Sequence, residues 1–226
     1  MRVLVTGFND WRELGDPPNV WRCRDNPSCR LLLGEPQAAA PTSFPGPLPT
    51  RLASGGPAIE WEFRTMPVTW GAFEQVPNDV DVIINVGLGV YDRLDAVQLE
   101  AGAYNLRRGA DAATAEQPGP IADAEATVLE APTDSPIAAK LAALRGQTVA
   151  GYEVLVAPAR EDNSYLCNET HFFALSTLAD PSARGQLDAV YFLHIPYAAD
   201  GDYEALADAV AGVILQLVGD SDGPLG

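Results

Sequence analysis

The sequence predicts an α/β fold: a doubly wound, mostly parallel sheet flanked by helices in a single-domain sandwich. Short strand-like runs alternate with amphipathic helical stretches along the chain, the pattern that strand–helix units make. Two of the runs, Val82-Ile83-Ile84-Asn85-Val86 and Val154-Leu155-Val156, are apolar on both faces. Both of their faces therefore need cover, as in the interior of a parallel sheet. The last helical stretch places Leu206, Val210, Val213, Ile214 and Leu217 on one side, a stripe suited to packing on that sheet.

In chain order, the expected strands are residues 3–6, 59–64, 80–86, 152–156 and 189–194, and the expected helices 136–144, 165–178 and 203–218. The opening Arg2-Val3-Leu4-Val5-Thr6-Gly7 reads as a strand from the start, with no room for a signal peptide. Residues 16–57 hold nine of the 19 prolines, which marks a proline-rich insert, a long loop around one short helix near residues 20–33. Residues 109–133 are Ala, Asp, Glu, Gly and Pro with little periodicity and read as a mobile surface loop. The expected organisation is one domain over 1–219 and a flexible tail over 220–226.

With 31 acidic against 14 basic residues the formal charge is −17. Such a surface repels nucleic acid and anionic membranes, so neither is expected as a partner. No apolar run approaches the roughly 18 residues of a membrane span. Few cysteines and no signal peptide point to a cytoplasmic protein. Cys23 and Cys29 are open to a disulfide or a metal clip, but their C-x5-C spacing matches no strong zinc signature. No metal site is expected.

Chemistry concentrates in two short segments. Cys167, in Ser164-Tyr165-Leu166-Cys167-Asn168, stands at the start of an expected helix; His194 closes the strand-like run 189–194. A thiol is a useful nucleophile as thiolate, and a helix N-terminus and a neighbouring imidazole both favour that form. Asn163 or Ser164 is placed to cap the helix. His171, four residues after Cys167, lies one turn along the same helix, and spacing leaves the choice between the two histidines open. Glu100, an acid within a half-apolar segment, is a candidate to orient the imidazole. Ligands in open parallel sheets bind beyond the carboxyl ends of strands. The loops after residues 6, 86, 156 and 194 are all expected at one such edge.

Laid out in this order, the chain resembles pyroglutamyl peptidase I (pyrrolidone-carboxylate peptidase), a family of intracellular cysteine peptidases that remove N-terminal pyroglutamate. The family's Leu-Glu-x-x-Ala-x-Asn segment is matched by Leu99-Glu100-Ala101-Gly102-Ala103-Tyr104-Asn105. Its Thr-Tyr-Val-Cys-Asn is echoed at 164–168, and its Ile-His-Val-Pro-Tyr by Leu193-His194-Ile195-Pro196-Tyr197. Val5-Thr6-Gly7-Phe8 and Met66-Pro67-Val68-Thr69-Trp70-Gly71 are further landmarks. The resemblance implies that Cys167 is the nucleophile, His194 the general base and then acid, and Glu100 the residue orienting His194. It also implies a peptide substrate with N-terminal pyroglutamate, no cofactor, and a homo-oligomer, commonly a tetramer.

The departures from the family concern substrate recognition. Its Gly-Phe-x-Pro-Phe-Gly-Gly reads Gly7-Phe8-Asn9-Asp10-Trp11-Arg12-Glu13 here, so Phe8 and Trp11 are the expected ring-binding aromatics. Leu88 stands where the family has a glutamine. A leucine side chain offers no hydrogen bond, so substrate binding is expected to be weaker by about 1 kcal/mol. Arg107 or Arg108 corresponds to the family's arginine beyond its Asn-x-Asp-Asp segment, and both are oxyanion candidates. A non-catalytic or altered-specificity relative is the alternative reading. A dinucleotide-binding enzyme is a distant third, because no G-x-G-x-x-G follows the first strand.

Overall fold

The first strand-like run becomes β1 (Arg2–Phe8) and lies inside the sheet, because it supplies an apolar side chain to each face. The computed structural model describes residues 1–9, 23, 26–34, 44–54, 59–113, 115–123 and 126–219. In these residues β1 is followed by α1 (Pro27–Leu33), α2 (Pro47–Ala53), β2 (Glu60–Met66), β3 (Val82–Val90), β4 (Ala96–Glu100), β5 (Gly102–Tyr104) and β6 (Val128–Glu130). Then come α3 (Pro136–Leu144), β7 (Thr148–Val149), β8 (Tyr152–Ala157), α4 (Leu166–Ala179), β9 (Ala189–Pro196) and α5 (Tyr203–Val218).

Seven strands form one sheet in the order β2-β1-β3-β9-β4-β8-β7. Neighbours are parallel except at β9–β4 and β8–β7. The expected α/β sandwich with a mostly parallel sheet is the observed one. Strand alternation divides its core into two layers. On one face Val3, Val5, Ile84, Val86, Leu193 and Ile195 pack with α1, α2, α3 and α5. On the other, Leu4, Ile83, Val190 and Phe192 pack with Phe172 and Leu175 of α4.

Several elements differ from expectation for local reasons. Pro47 and Pro49 signalled loop, yet they sit in the first turn of α2, where a missing N–H breaks no helical bond. The α1 helix is shorter than residues 20–33; its N-cap Asn26 accepts from the Ser28 N–H at 3.2 Å. The same Asn26 donates to the Phe8 and Asn9 carbonyls at 3.0 and 2.7 Å, stitching α1 to the end of β1. Between 109 and 133, where a loop was expected, residues 128–130 form β6 against β5. Asp111 there accepts from the N–H groups of Trp70, Ala113 and Ala115. Asn105 accepts from Ile121 and Ala122. Side chains rather than periodic packing organise that segment, which leaves no hydrophobic rhythm to read.

Cys23 and Cys29 form a disulfide, which leaves Cys167 as the free thiol. No metal-binding cluster of His, Cys, Asp or Glu occurs among the described residues. No helix among them is long and apolar enough to cross a membrane. The 220–226 tail lies outside the described residues.

Candidate active site

The expectation of a single carboxyl edge needs correction. Strand β8 runs antiparallel to β1, β3 and β9, because the sheet reverses at the β9–β4 pair. Its carboxyl end therefore faces the opposite edge, and residues 158–165 lead the chain to α4. The candidate residues gather on the α4 face of β3, β9 and β4.

The reversal is what brings Glu100 to His194. Gln98 pairs with His194, and Leu99 with Leu193; Gln98, Glu100 and His194 then share one face by alternation. Glu100 Oε1 lies 2.6 Å from His194 Nδ1, and both residues are buried. The Gln98 amide donates to the same oxygen at 2.7 Å. Burial opposes ionisation of Glu100, but these two bonds and the nearby imidazoles outweigh it and hold its carboxyl below the usual range. Burial likewise lowers the basicity of His194. Its bonds to Cys167 and Glu100 overcome that and push its pKa up to about 10. Since Nδ1 is taken by Glu100, Nε2 is the nitrogen left for the thiol.

Cys167 occupies the second position of α4, after the N-cap Tyr165. The expected cap by Asn163 or Ser164 is absent: Tyr165 provides no side-chain cap, and the Ser164 hydroxyl donates instead to the Glu161 carbonyl. The helix start is tied down by later residues of its first turn. Asn168 accepts from the Tyr104 N–H at 2.8 Å and donates to the carbonyls of Tyr104 and Leu106. Glu169 accepts from the Gly71 N–H at 2.8 Å and from Arg107 Nε at 2.5 Å. The helix is thus fixed with its first-turn N–H groups uncapped by a side chain, and these groups favour negative charge beside Cys167.

Two glycines make room for this arrangement, and the sequence reading missed their role. A Cβ on Gly87 would lie 2.9 Å from Cys167 Sγ. One on Gly89 would lie 2.2 Å from His194 Cδ2. A Gly-x-Gly inside a strand is the sequence signal of such a close approach. Gln98 was also missed; its place two residues before Glu100 was the available clue.

The other candidates are less well placed. Leu88 lies between the two glycines and pairs with Ile195, a residue of the opposite core layer. Its side chain consequently points away from Cys167. Phe8 is buried in the same layer that Cys167 packs against. Trp11 lies outside the described residues. Arg107 is bound to Glu169, and Arg108 to Glu161, so each guanidinium already faces a carboxylate. His171 is buried one turn from Cys167. Burial drives its pKa down to about 4, with Glu100 opposing and His194 adding to the fall. It forms no comparable bond with the thiol, which leaves His194 as the imidazole joined to both Cys167 and Glu100.

A free thiol, an imidazole and a carboxylate thus stand in series, an arrangement able to draw the thiol proton onto the imidazole and to hold that ring in place. No protein-family model and no curated protein matches the chain. Solved structures do. A mutant pyrrolidone carboxyl peptidase from the hyperthermophile Pyrococcus furiosus is 21% identical, covering 96% of this chain and 98% of its own, with a TM-score of 0.62. Pyroglutamyl peptidase I of Bacillus amyloliquefaciens is 18% identical, covering 95% and 98%, with a TM-score of 0.61. The chain has the pyrrolidone carboxyl peptidase fold over almost its whole length.

Proposed function

We propose that this protein is a cysteine omega-peptidase that hydrolyses N-terminal pyroglutamate from peptides. The observation that carries this reading is the Cys167–His194–Glu100 series, set on the fold it shares with solved pyroglutamyl peptidases. In this reading the Cys167 thiolate attacks the pyroglutamyl carbonyl carbon, with the thiol proton held on His194. The tetrahedral oxyanion falls to the uncapped N–H groups at the start of α4, since Arg107 and Arg108 are engaged by carboxylates. The C–N bond breaks as His194 returns its proton to the leaving amine, and a thioester remains on Cys167. Water, deprotonated by His194, then cleaves the thioester and releases pyroglutamate and the free thiol. No metal or organic cofactor enters these steps. The reading includes a cytoplasmic setting, as the resemblance implies. The Cys23–Cys29 disulfide pulls against it, because such bonds persist mainly in oxidising compartments.

A fluorogenic pyroglutamyl amide, run beside the corresponding prolyl and alanyl amides, tests the reading. Release from the pyroglutamyl substrate alone supports it. Release from another amide, or from none, favours the altered-specificity or non-catalytic relative, a reading motivated by Leu88 and by the changed segment after Phe8.

The orientation of Leu88 reverses one expectation about binding. A side chain on the far face cannot supply the lactam with a hydrogen bond, so the ring's polar edge must meet backbone groups of the Gly87-Leu88-Gly89 segment. Leu88→Gln is accordingly expected to leave KM for the pyroglutamyl amide within about twofold, well under the effect of one hydrogen bond made or lost. A tenfold fall in KM would put that side chain in the pocket.

A further inference from the structure

His171 has no part in the chemistry proposed above, yet it is buried against the same site. Its side chain lies on α4 over Phe192, with ring centroids 5.8 Å apart, and Phe192 in turn contacts His194 at 4.8 Å. Neither nitrogen of the His171 ring meets a partner within hydrogen-bond geometry, although the Glu100 main chain lies near enough to raise its basicity. Glu100 shows the complementary feature: Oε1 serves both His194 and Gln98, while Oε2 is buried and has no partner. Glu100 and His171 are close enough for the charge of each to bear on the other. A neutral imidazole carries one N–H donor, and a carboxylate oxygen only accepts. Buried polar groups left unpaired are rare because each loses its hydration without compensation. Two that complement one another and lie within electrostatic reach of each other have a common solution.

We propose that His171 is a positioning residue for the candidate active site: its ring N–H is directed to Oε2 of Glu100, so that this carboxylate is held between two histidines while it orients His194. The charged or titratable groups bearing on His171 are Glu100 from β4 and His194 from β9, with Cys167 one turn back on its own helix. Because burial keeps His171 neutral down to about pH 4, it donates without competing with His194 for the negative charge of Glu100. The bond would limit rotation of the carboxylate and favour its ionised form. The imidazolium of His194 that accompanies a Cys167 thiolate is stabilised through it. The kinetic meaning of this role rests on the peptidase reading; the geometry does not.

The test uses a readout that needs no substrate. Cys167 is the free thiol, so its alkylation by iodoacetamide can be followed in the intact chain from acid to neutral pH. His171→Phe keeps an aromatic ring against Phe192 but removes the donor, whereas His171→Gln keeps an N–H. His171→Phe is expected to move the acid limb of alkylation to higher pH and slow the reaction about tenfold, the change expected for one hydrogen bond to a charged group. His171→Gln should restore most of the rate. The downfield proton resonance of His194 Nδ1–H should shift in the phenylalanine variant and return in the glutamine variant. A wild-type alkylation profile in His171→Phe, equal impairment of both variants, or failure of both to fold would overturn the proposal and leave His171 a packing residue. Should the wild-type protein cleave no pyroglutamyl amide while the alkylation shift appears, the peptidase reading fails and the positioning role stands.

Discussion

Cys167→Ser is expected to remove hydrolysis of a pyroglutamyl amide, a fall of at least about four orders of magnitude in kcat, with the fold retained. The exchange of sulfur for oxygen is small and the site already tolerates polar contact with His194, so secondary structure and melting temperature should hardly change. Oxygen at that position has a far higher intrinsic pKa than a thiol and is not matched to an imidazolium partner. His194→Ala should lose about two orders of magnitude or more, the usual cost of removing a general base. Glu100→Gln should cost less than either, because it disturbs the orientation of an imidazole without taking an atom out of the reaction. Cys23→Ser and Cys29→Ser break a disulfide that includes none of the three proposed catalytic residues and should keep kcat. Steady-state kinetics on the five variants check the order. Full activity in Cys167→Ser would end the nucleophile assignment.

The three side chains behind that expectation were legible in the sequence. Cys167, His194 and Glu100 stood out as short segments with chemistry-bearing side chains, and the structure brings all three together. The central strand was legible for the same reason that it is buried, since residues 82–86 have apolar side chains for both faces, whereas in residues 154–156 only Val154 is buried. The direction of β4 and β8 was not legible. Parallel and antiparallel neighbours use the same side-chain alternation, so an apolar run states that it is covered without stating which way it runs. That gap produced the error about a single carboxyl edge. It also hid the pairing by which Glu100 reaches His194, in which an antiparallel β4 sets Gln98 abreast of the histidine. The helix cap failed for a different reason. Asn163 and Ser164 have the right side chains, but the cap position falls two residues after the first and one after the second, at a point fixed by Asn168 and Glu169 binding neighbouring segments. Long-range contacts of that kind leave no local pattern.

The glycines of β3 give the second large effect. Gly89→Ala is expected to reduce kcat by about two orders of magnitude, comparable to loss of the proposed base His194. An added Cβ would meet His194 Cδ2 at 2.2 Å, Cγ at 2.5 Å and Nε2 at 2.7 Å, distances that require something to move. The imidazole has little freedom to yield. It is buried, Phe192 lies 4.8 Å from it, and Nδ1 is held by Glu100. If the ring swings aside, the bond to Glu100 and the alignment with Cys167 are lost together. If β3 shifts instead, overpacking costs about 1–3 kcal/mol of stability, and the paired strand β9 moves with it. Gly87→Ala meets softer neighbours, Cys167 Sγ at 2.9 Å and the edge of Phe192 at 3.0 Å, and should lose several-fold less. The comparison separates a steric effect on the base from a general weakness of β3, because both alanines add the same methyl group to the same strand. Equal losses at the two positions would point to the strand. A nearly unchanged kcat in Gly89→Ala would mean that His194 can work from another rotamer, and that its close approach to β3 is not what positions the base.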